Sequence, residues 1–144
     1  MKISDCMSRD VRVAAPDNTI QSAAQIMADI DAGFLPVGND DRLVGIVTDR
    51  DIAIRGVAVG RPPETSVREV MSEQVLYCFD DEDTDTVLEN MADIQVRRLP
   101  VVDRDKRLVG IVSISDLADA SDARNAGEAF SEITRPSMLH SQAV

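Results

Sequence analysis

Leu43-Val44-Gly45-Ile46-Val47 returns letter for letter as Leu108-Val109-Gly110-Ile111-Val112. Outward from this stretch the echo continues. Leu35-Pro36-Val37 answers Leu99-Pro100-Val101, Met27-Ala28-Asp29-Ile30 answers Met91-Ala92-Asp93-Ile94, and Met7-Ser8 with Val11 answers Met71-Ser72 with Val75. The offset is 64 residues up to the prolines and 65 after them, so one extra residue separates the copies. It falls in the turn around Asp103-Arg104-Asp105-Lys106, where insertions are tolerated. A repeat of this length is one supersecondary unit used twice. Two copies bury matching faces against each other, and a site built by one has a counterpart in the other.

Each copy reads β-α-β-β-α. In the first, Val11-Arg12-Val13 alternates as a short strand, and Pro16-Asp17-Asn18-Thr19 offers N-cap chemistry. Ile20, Ala23, Ala24, Met27 and Ile30 then form the apolar stripe of a helix, with Gly33 available for a left-handed C-cap. Phe34 to Val37 reads as a strand, Asn39-Asp40-Asp41 as a turn, Leu43 to Val47 as a second strand, and Asp49 to Val57 as a second helix closed by Gly60-Arg61-Pro62-Pro63. In the second copy the strands are Val75-Leu76-Tyr77, Arg98 to Val102 and Arg107 to Val112. Val87, Leu88, Met91 and Ile94 face inward from a helix, and Ser115 to Ala120 begins the last helix of the repeat. The acidic run Asp80 to Asp85 suits the start of that inner helix through the macrodipole, rather than a calcium loop. Beyond the repeat, Ala123, Ala126, Phe130 and Ile133 recur at helical spacing until Thr134-Arg135-Pro136, and a frayed tail is expected from Ser137. The expected division is 1–62 for the first repeat, 63–121 for the second and 122–144 for a C-terminal helix and flexible tail.

The composition narrows the function. At 144 residues, with 44% apolar, the chain builds a core without staples. No run approaches the ~20 apolar residues of a membrane helix, and no apolar h-region follows Lys2, so a cytoplasmic, membrane-free protein is expected. A net charge of −11 and 3% aromatics argue against nucleic acid as a partner. Cys6 and Cys78 fall at apolar positions of the repeat and read as buried thiols rather than a disulfide framework or a metal site. The single histidine, His140, lies in a polar tail, and GxSxG, HExxH and Walker motifs are missing, so no catalytic set can be assembled.

The chemistry that stands out follows the duplicated strand. Thr48-Asp49-Arg50-Asp51 and Ser113-Ile114-Ser115-Asp116 both place a hydroxyl three residues before an aspartate at a strand-to-helix junction. Two readings are open. One is a capping box, in which hydroxyl and carboxylate close the helix start reciprocally. The other is a ligand site, in which the helix start meets a phosphate and the aspartate accepts bonds from ribose hydroxyls.

With these motifs assembled, the chain resembles tandem CBS domains, the regulatory pair also called a Bateman module, over Ile3 to about Ala120. The matching features are Met-Ser-x-x-Val, the Leu-Pro-Val strand, Leu-Val-Gly-Ile-Val and Thr/Ser-x-x-Asp, each present twice. Thr48 to Arg55 and Glu132-Ile133-Thr134-Arg135-Pro136 further resemble bacterial stand-alone CBS-pair proteins. The resemblance implies an α/β (α+β) fold of two β-α-β-β-α repeats packed through their sheets with pseudo-twofold symmetry, plus a short C-terminal helix. It also implies clefts that bind adenosyl compounds (AMP, ADP, ATP, NAD or S-adenosylmethionine), no catalytic cofactor or metal, a homodimer and an unknown regulated protein.

Carried over by position, Asp51 and Asp116 hold ribose hydroxyls, and Thr48 and Ser113 bond ribose or phosphate. Backbone around Val11–Val13 and Val75–Tyr77 meets the adenine edge, with Phe34, Leu35, Pro36, Leu99 and Pro100 as walls. Arg50, Arg98 and Ser115 stand where the copies differ; phosphate contacts are expected from Arg50 and Arg98. The two clefts are therefore expected to be related but unequal. A ligand-free dimerisation scaffold, with the aspartates serving only as caps, is the competing expectation.

Overall fold

The duplicated pentapeptide forms one strand of a hairpin in each copy. In the computed structural model, which describes residues 1–120 and 123–134, the first copy contains α1 (Ile20–Ile30), β1 (Phe34–Asn39), β2 (Arg42–Thr48) and α2 (Asp49–Asp51). The helical run of α2 widens to a π turn at Ile52–Gly56, tightens at Val57–Val59, and ends on left-handed Gly60. The second copy contains β3 (Cys78–Phe79), α3 (Thr84–Ile94), β4 (Arg98–Val102), β5 (Leu108–Ser113) and α4 (Ile114–Ala120), followed by α5 (Ala123–Thr134). The expected tail from Ser137 lies outside the described residues.

The extra residue of the second copy sits in its hairpin loop. Between β1 and β2 the loop is Asp40-Asp41, both with positive φ (51° and 67°), as a two-residue type I′ turn requires. Between β4 and β5, Asp103 N–H donates to Arg107 O at 2.9 Å. That leaves Arg104-Asp105-Lys106 as a three-residue loop whose last member has φ 62°.

The helix ends follow local chemistry. Thr19 Oγ1 accepts from Ser22 N–H at the start of α1, and Asp83 accepts from Asp85 N–H at the start of α3. The left-handed C-caps are Asp31 and Gln95, not Gly33. Gly33 is needed for a different reason: a Cβ there would lie 2.8 Å from Asp49 Oδ2. Ile20, Ala23 and Met27 are buried from α1, and Val87, Leu88 and Met91 from α3; Ile30 and Ile94, expected inside, are each 38% exposed at the last turn.

The strands expected at Val11–Val13 and Val75–Tyr77 do not form as such. In the first copy only Ala14 pairs, in a parallel bridge to Val37, and in the second the strand is Cys78–Phe79, parallel to Val101 and Val102. The reason is that each segment spans from one copy to the other, so only its ends find partners. Ser8 pairs with Ile111 of the second copy (N···O 2.8 and 2.9 Å), whereas Ala14 pairs within the first. Ser72 pairs reciprocally with Ile46 of the first copy (2.8 and 2.9 Å).

This exchange reaches further towards the N-terminal side of each copy. Ile3 N–H donates to Glu82 O (3.0 Å) and Ser4 N–H to Asp80 O (2.9 Å); 64 residues on, Val67 N–H donates to Asn18 O (2.7 Å) and Arg68 N–H to Pro16 O (3.0 Å). Each core is consequently mixed. Ile3 and Met7 pack with Met91, Leu99 and Leu117, and Val67 and Val70 pack with Ile20, Leu35 and Val47. Gly45 and Gly110 lie directly under the crossings: a Cβ on Gly45 would sit 2.9 Å from Ser72 O, and one on Gly110 2.8 Å from Ser8 O.

Helix α5 breaks the symmetry. It packs on α3 and α4, burying Ile133 in the second core, and Gln95 Nε2 donates to Glu132 O at 3.0 Å. Leu88 and Ala92 are buried on that side, whereas their counterparts Ala24 and Ala28 are exposed, as are Ile54, Val57 and Val59. Cys78 is buried and Cys6 partly so. Burial, then the nearby Glu82 carboxylate, pushes the Cys78 thiol up to about 12, so it stays neutral as a packed apolar group. Among the described residues no helix is long and apolar enough to cross a membrane.

The crossings generate a stability prediction. Gly45→Ala and Gly110→Ala press a methyl against a backbone carbonyl, and overpacking of this kind costs about 1–3 kcal/mol. Gly127→Ala, in α5 with nothing within 4 Å of the added methyl, should be neutral or stabilising. Thermal melts of the three variants check this. Loss of several degrees in the first two and none in the third is expected; unchanged midpoints for Gly45→Ala and Gly110→Ala would contradict the close crossing.

Candidate functional site

Strand periodicity divides β2 and β5 into two faces. Gly45 and Val47 are buried towards one core and Gly110 and Val112 towards the other, while Val44, Ile46 and Thr48, and likewise Val109, Ile111 and Ser113, are half-buried on the opposite face. Leu43 and Val44 at the start of β2, and Leu108 and Val109 at the start of β5, reach the clefts, and Val44 and Val109 also pack against the cores. A cavity of about 270 Å³ is bounded by Arg9, Val11, Val13, Gly38 and Asp41 of the first copy with Leu108 and Val109 of the second. Its pseudo-symmetric mate, about 230 Å³, is bounded by Glu73, Val75, Tyr77, Val102 and Lys106 with Leu43 and Val44 of the first copy.

The crossing of the copies decides which residues share a cleft. Val11 and Val13 lie against β5, whose far end carries Ser113 and Asp116; Val75 and Tyr77 lie against β2, whose far end carries Thr48 and Asp51. Four residues of strand separate the valine end from the hydroxyl end, roughly 14 Å. The adjoining strands extend the same faces. Phe34 pairs with Thr48 and Pro36 with Ile46; Arg98 pairs with Ser113 and Pro100 with Ile111. Leu35 pairs with Val47 and Leu99 with Val112, and both leucines are buried in the cores rather than exposed as cleft walls. The period of two puts Phe34 and Pro36 on one face of β1 and Leu35 on the other; Phe34 is half-buried, and Pro36 and Pro100 are buried like the leucines.

At the helix starts both capping boxes are complete. Asp51 N–H donates to Thr48 Oγ1 and Thr48 N–H to Asp51 Oδ2, both at 3.0 Å. Ser113 N–H donates to Asp116 Oδ2 at 2.9 Å and Asp116 N–H to Ser113 Oγ at 3.1 Å. Asp51 keeps a second oxygen, Oδ1, 4.0 Å from Arg55 Nε, and Arg55 Nη1 also donates to the carbonyls of Val70 and Met71 at 3.4 Å. Arg50 and Ser115 are exposed on the first turns of α2 and α4, and Arg98 is exposed at the start of β4.

The charged rims were not foreseen. Arg9 and Asp41 flank one cavity, and at the equivalent positions Glu73 and Lys106 flank the other, with the signs exchanged. The repeat offsets of 64 and 65 already align these pairs, so the signal was present in the sequence. Beside the second cavity Arg104 binds Asp81 through two hydrogen bonds (2.7 and 2.8 Å), which hold the Asp81 carboxyl below its usual range. Among the described residues no group of three or more His, Cys, Asp or Glu side chains is gathered as a metal site.

With this geometry in place, known proteins show the same pattern. The family model for the CBS domain matches residues 3–56 and 67–123. The chain is 39% identical over 133 residues to the CBS domain-containing protein YhcV of Bacillus subtilis, spanning 92% of this chain and 94% of that one. The crystal structure of Hypoxic Response Protein I with two coordinated zinc ions superposes with a TM-score of 0.75 at 38% identity, over 85% of this chain and 100% of that one. The CBS domain pair of protein MJ0100, in complex with 5′-methylthioadenosine and S-adenosyl-L-methionine, superposes with a TM-score of 0.70 at 30% identity, over 83% and 94% of the two chains.

The capping geometry makes a direct claim about stability. Thr48→Ala and Ser113→Ala should each cost about 1 kcal/mol by removing an N-cap acceptor, while Thr48→Ser and Ser113→Thr keep it. Denaturant melts with unchanged slopes measure the loss. Equal stability of the alanine and hydroxyl variants would show that these bonds do not hold the helix starts.

Proposed function

The chain belongs to the CBS-domain family, and from that premise we propose that it is a regulatory, non-enzymatic module whose two clefts bind adenosyl compounds and whose ligand state is read by another protein. The observation that carries this reading is the construction of each cleft. An apolar end made by Val11 and Val13, or by Val75 and Tyr77, meets the start of a strand that runs on to a hydroxyl–x–x–aspartate at a helix start. A base fits the first end, and ribose and phosphate fit the second.

In this reading the Oδ1 atoms of Asp51 and Asp116 accept ribose hydroxyls, and Thr48 and Ser113 contribute at the ribose–phosphate junction. Phe34 and Pro36, or Pro100, form the wall beside them, and Arg50 and Arg98 neutralise phosphate, with Ser115 as a further donor. AMP, ADP, ATP, NAD and S-adenosylmethionine are the ligands to try; the relative MJ0100 holds adenosyl compounds of this class. A second reading, a ligand-free scaffold, is favoured by the two completed capping boxes, which explain Thr48, Asp51, Ser113 and Asp116 without any ligand.

A melt in the presence of each compound separates the two. Ligand at 100-fold its dissociation constant adds about 2.7 kcal/mol, and each kcal/mol moves the midpoint of a domain this size by roughly 2–4 °C. We expect a rise of several degrees with at least one adenosyl compound, reduced in Asp51→Asn and in Asp116→Asn. If no compound moves the midpoint, the scaffold reading stands.

The uncovered face of the first copy supplies the dimer. Helix α5 shields α3 and α4, whereas Ala24, Ala28, Ile54, Val57 and Val59 on the equivalent side are exposed. A second copy of the chain apposing the same face closes a twofold assembly. Light scattering on the full chain should give a dimer, and Ile54→Lys with Val57→Lys should give a folded monomer. A monomeric parent protein, or a double variant that stays dimeric, removes this interface.

A further inference from the structure

The two clefts differ most at their apolar ends. Where the first copy has Val13 and Ala15, the second has Tyr77 and Phe79. The two rings meet edge to face, with centroids 5.6 Å apart and planes at 88°. The guanidinium of Arg104 lies 4.1 Å from the Phe79 centroid. Arg104 is itself fixed by Asp81, with Nε to Oδ2 at 2.8 Å and Nη2 to Oδ1 at 2.7 Å. It comes from the three-residue hairpin loop, the one that contains the extra residue of the second copy. In the first copy the counterpart of Asp81 is Asp17, which binds Arg68 (2.7 Å) instead, and the Asp40-Asp41 loop carries no arginine. The chain Asp81–Arg104–Phe79–Tyr77 therefore exists in the second copy only, and it reaches the cleft through Tyr77.

We propose that the cleft of Tyr77 is the tighter of the two purine sites, and that Arg104 is a positioning residue that, through Phe79, presents the Tyr77 ring to the base. The inference rests on the adenosyl-binding reading and adds which cleft fills first and what sets its preference. An aromatic ring stacks on a base with far more contact than a valine does. A ring already held by its neighbours loses less freedom on binding than a free one. Tyr77 is 39% exposed and lines the 230 Å³ cavity, so its ring is both accessible and braced. Val13 is equally exposed in the other cleft but offers no ring to a base.

The composition gives this proposal its own reporter. Tyr77 is the only tyrosine and there is no tryptophan, so tyrosine fluorescence reads the Tyr77 cleft and is silent to the other. The full chain is titrated with AMP, ADP and S-adenosylmethionine, following melting midpoint, tyrosine fluorescence and calorimetric stoichiometry together. We expect the tighter binding phase to coincide with the fluorescence change. Tyr77→Ala should weaken that phase by about 5- to 150-fold, the range for loss of one base–aromatic stack. Tyr77→Phe should bind as the parent does, which loss of folding or of the hydroxyl cannot mimic. Arg104→Gln and Asp81→Asn, both at exposed positions, should weaken the same phase by about 2- to 13-fold, the cost of ordering one side chain, without moving the ligand-free midpoint. A ligand that raises the midpoint while leaving tyrosine emission unchanged overturns the assignment of the cleft but keeps the adenosyl-binding reading. Parent affinity in Arg104→Gln overturns the positioning role. If no ligand moves the midpoint, the adenosyl-binding reading fails and the inference falls with it.

Discussion

At Gly45 and Gly110 the backbone of one copy passes over the duplicated strand of the other so closely that a single methyl would meet a carbonyl oxygen at 2.8–2.9 Å. The approach is what allows Ser72 to pair with Ile46 and Ser8 with Ile111, each through two backbone hydrogen bonds. Those pairings pull Ile3 and Met7 into the second core and Val67 and Val70 into the first. Two hairpins, each with its own helices, would bury little by themselves. By exchanging their leading segments they complete each other's cores, so the pair behaves as one folding unit.

The same exchange composes the two clefts. Because Val11 and Val13 travel from the strand of the second copy back to their own, each cleft has one wall from each copy. A molecule that touches both walls bears on the relative placement of the repeats, and it shifts that placement only as far as its affinity differs between arrangements. The composite clefts follow directly from the crossing that builds the fold.

Much of this was legible in the sequence because repetition amplifies weak signals. The hairpins, the two long helices, Thr48 and Asp51, and Ser113 and Asp116 all appear twice, and each appearance supports the other. What escaped reading depends on contacts between copies. Val11–Val13 alternates like a strand, yet its partners are split between two sheets, so no ladder forms. Leu35 and Leu99 sit beside the cleft in sequence, but the strand period turns them into the cores. Gly33 has the residue type of a C-cap, while Asp31 adopts the left-handed conformation and Gly33 makes room for Asp49. Composition cannot separate those two uses of a glycine; only the approach of a second segment does.

The capping box and the ribose site are not alternatives at the level of atoms. A carboxylate has two oxygens and about four acceptor positions. In both copies the cap uses Oδ2, which accepts from the backbone N–H of Thr48 or Ser113. The Oδ1 of Asp51 remains, facing Arg55 at 4.0 Å, a separation at which a partly exposed pair holds loosely. A vicinal diol can therefore be accepted without dismantling the helix start, because the hydrogen bond that orients the carboxylate is made by the oxygen the ligand does not need. In the adenosyl-binding reading Thr48 and Asp51 serve stability and recognition together. The duplicated strand that ends in them carries the crossing glycine at one position and the site at another, three residues apart. A change that loosens the crossing thus also disturbs the placement of the site.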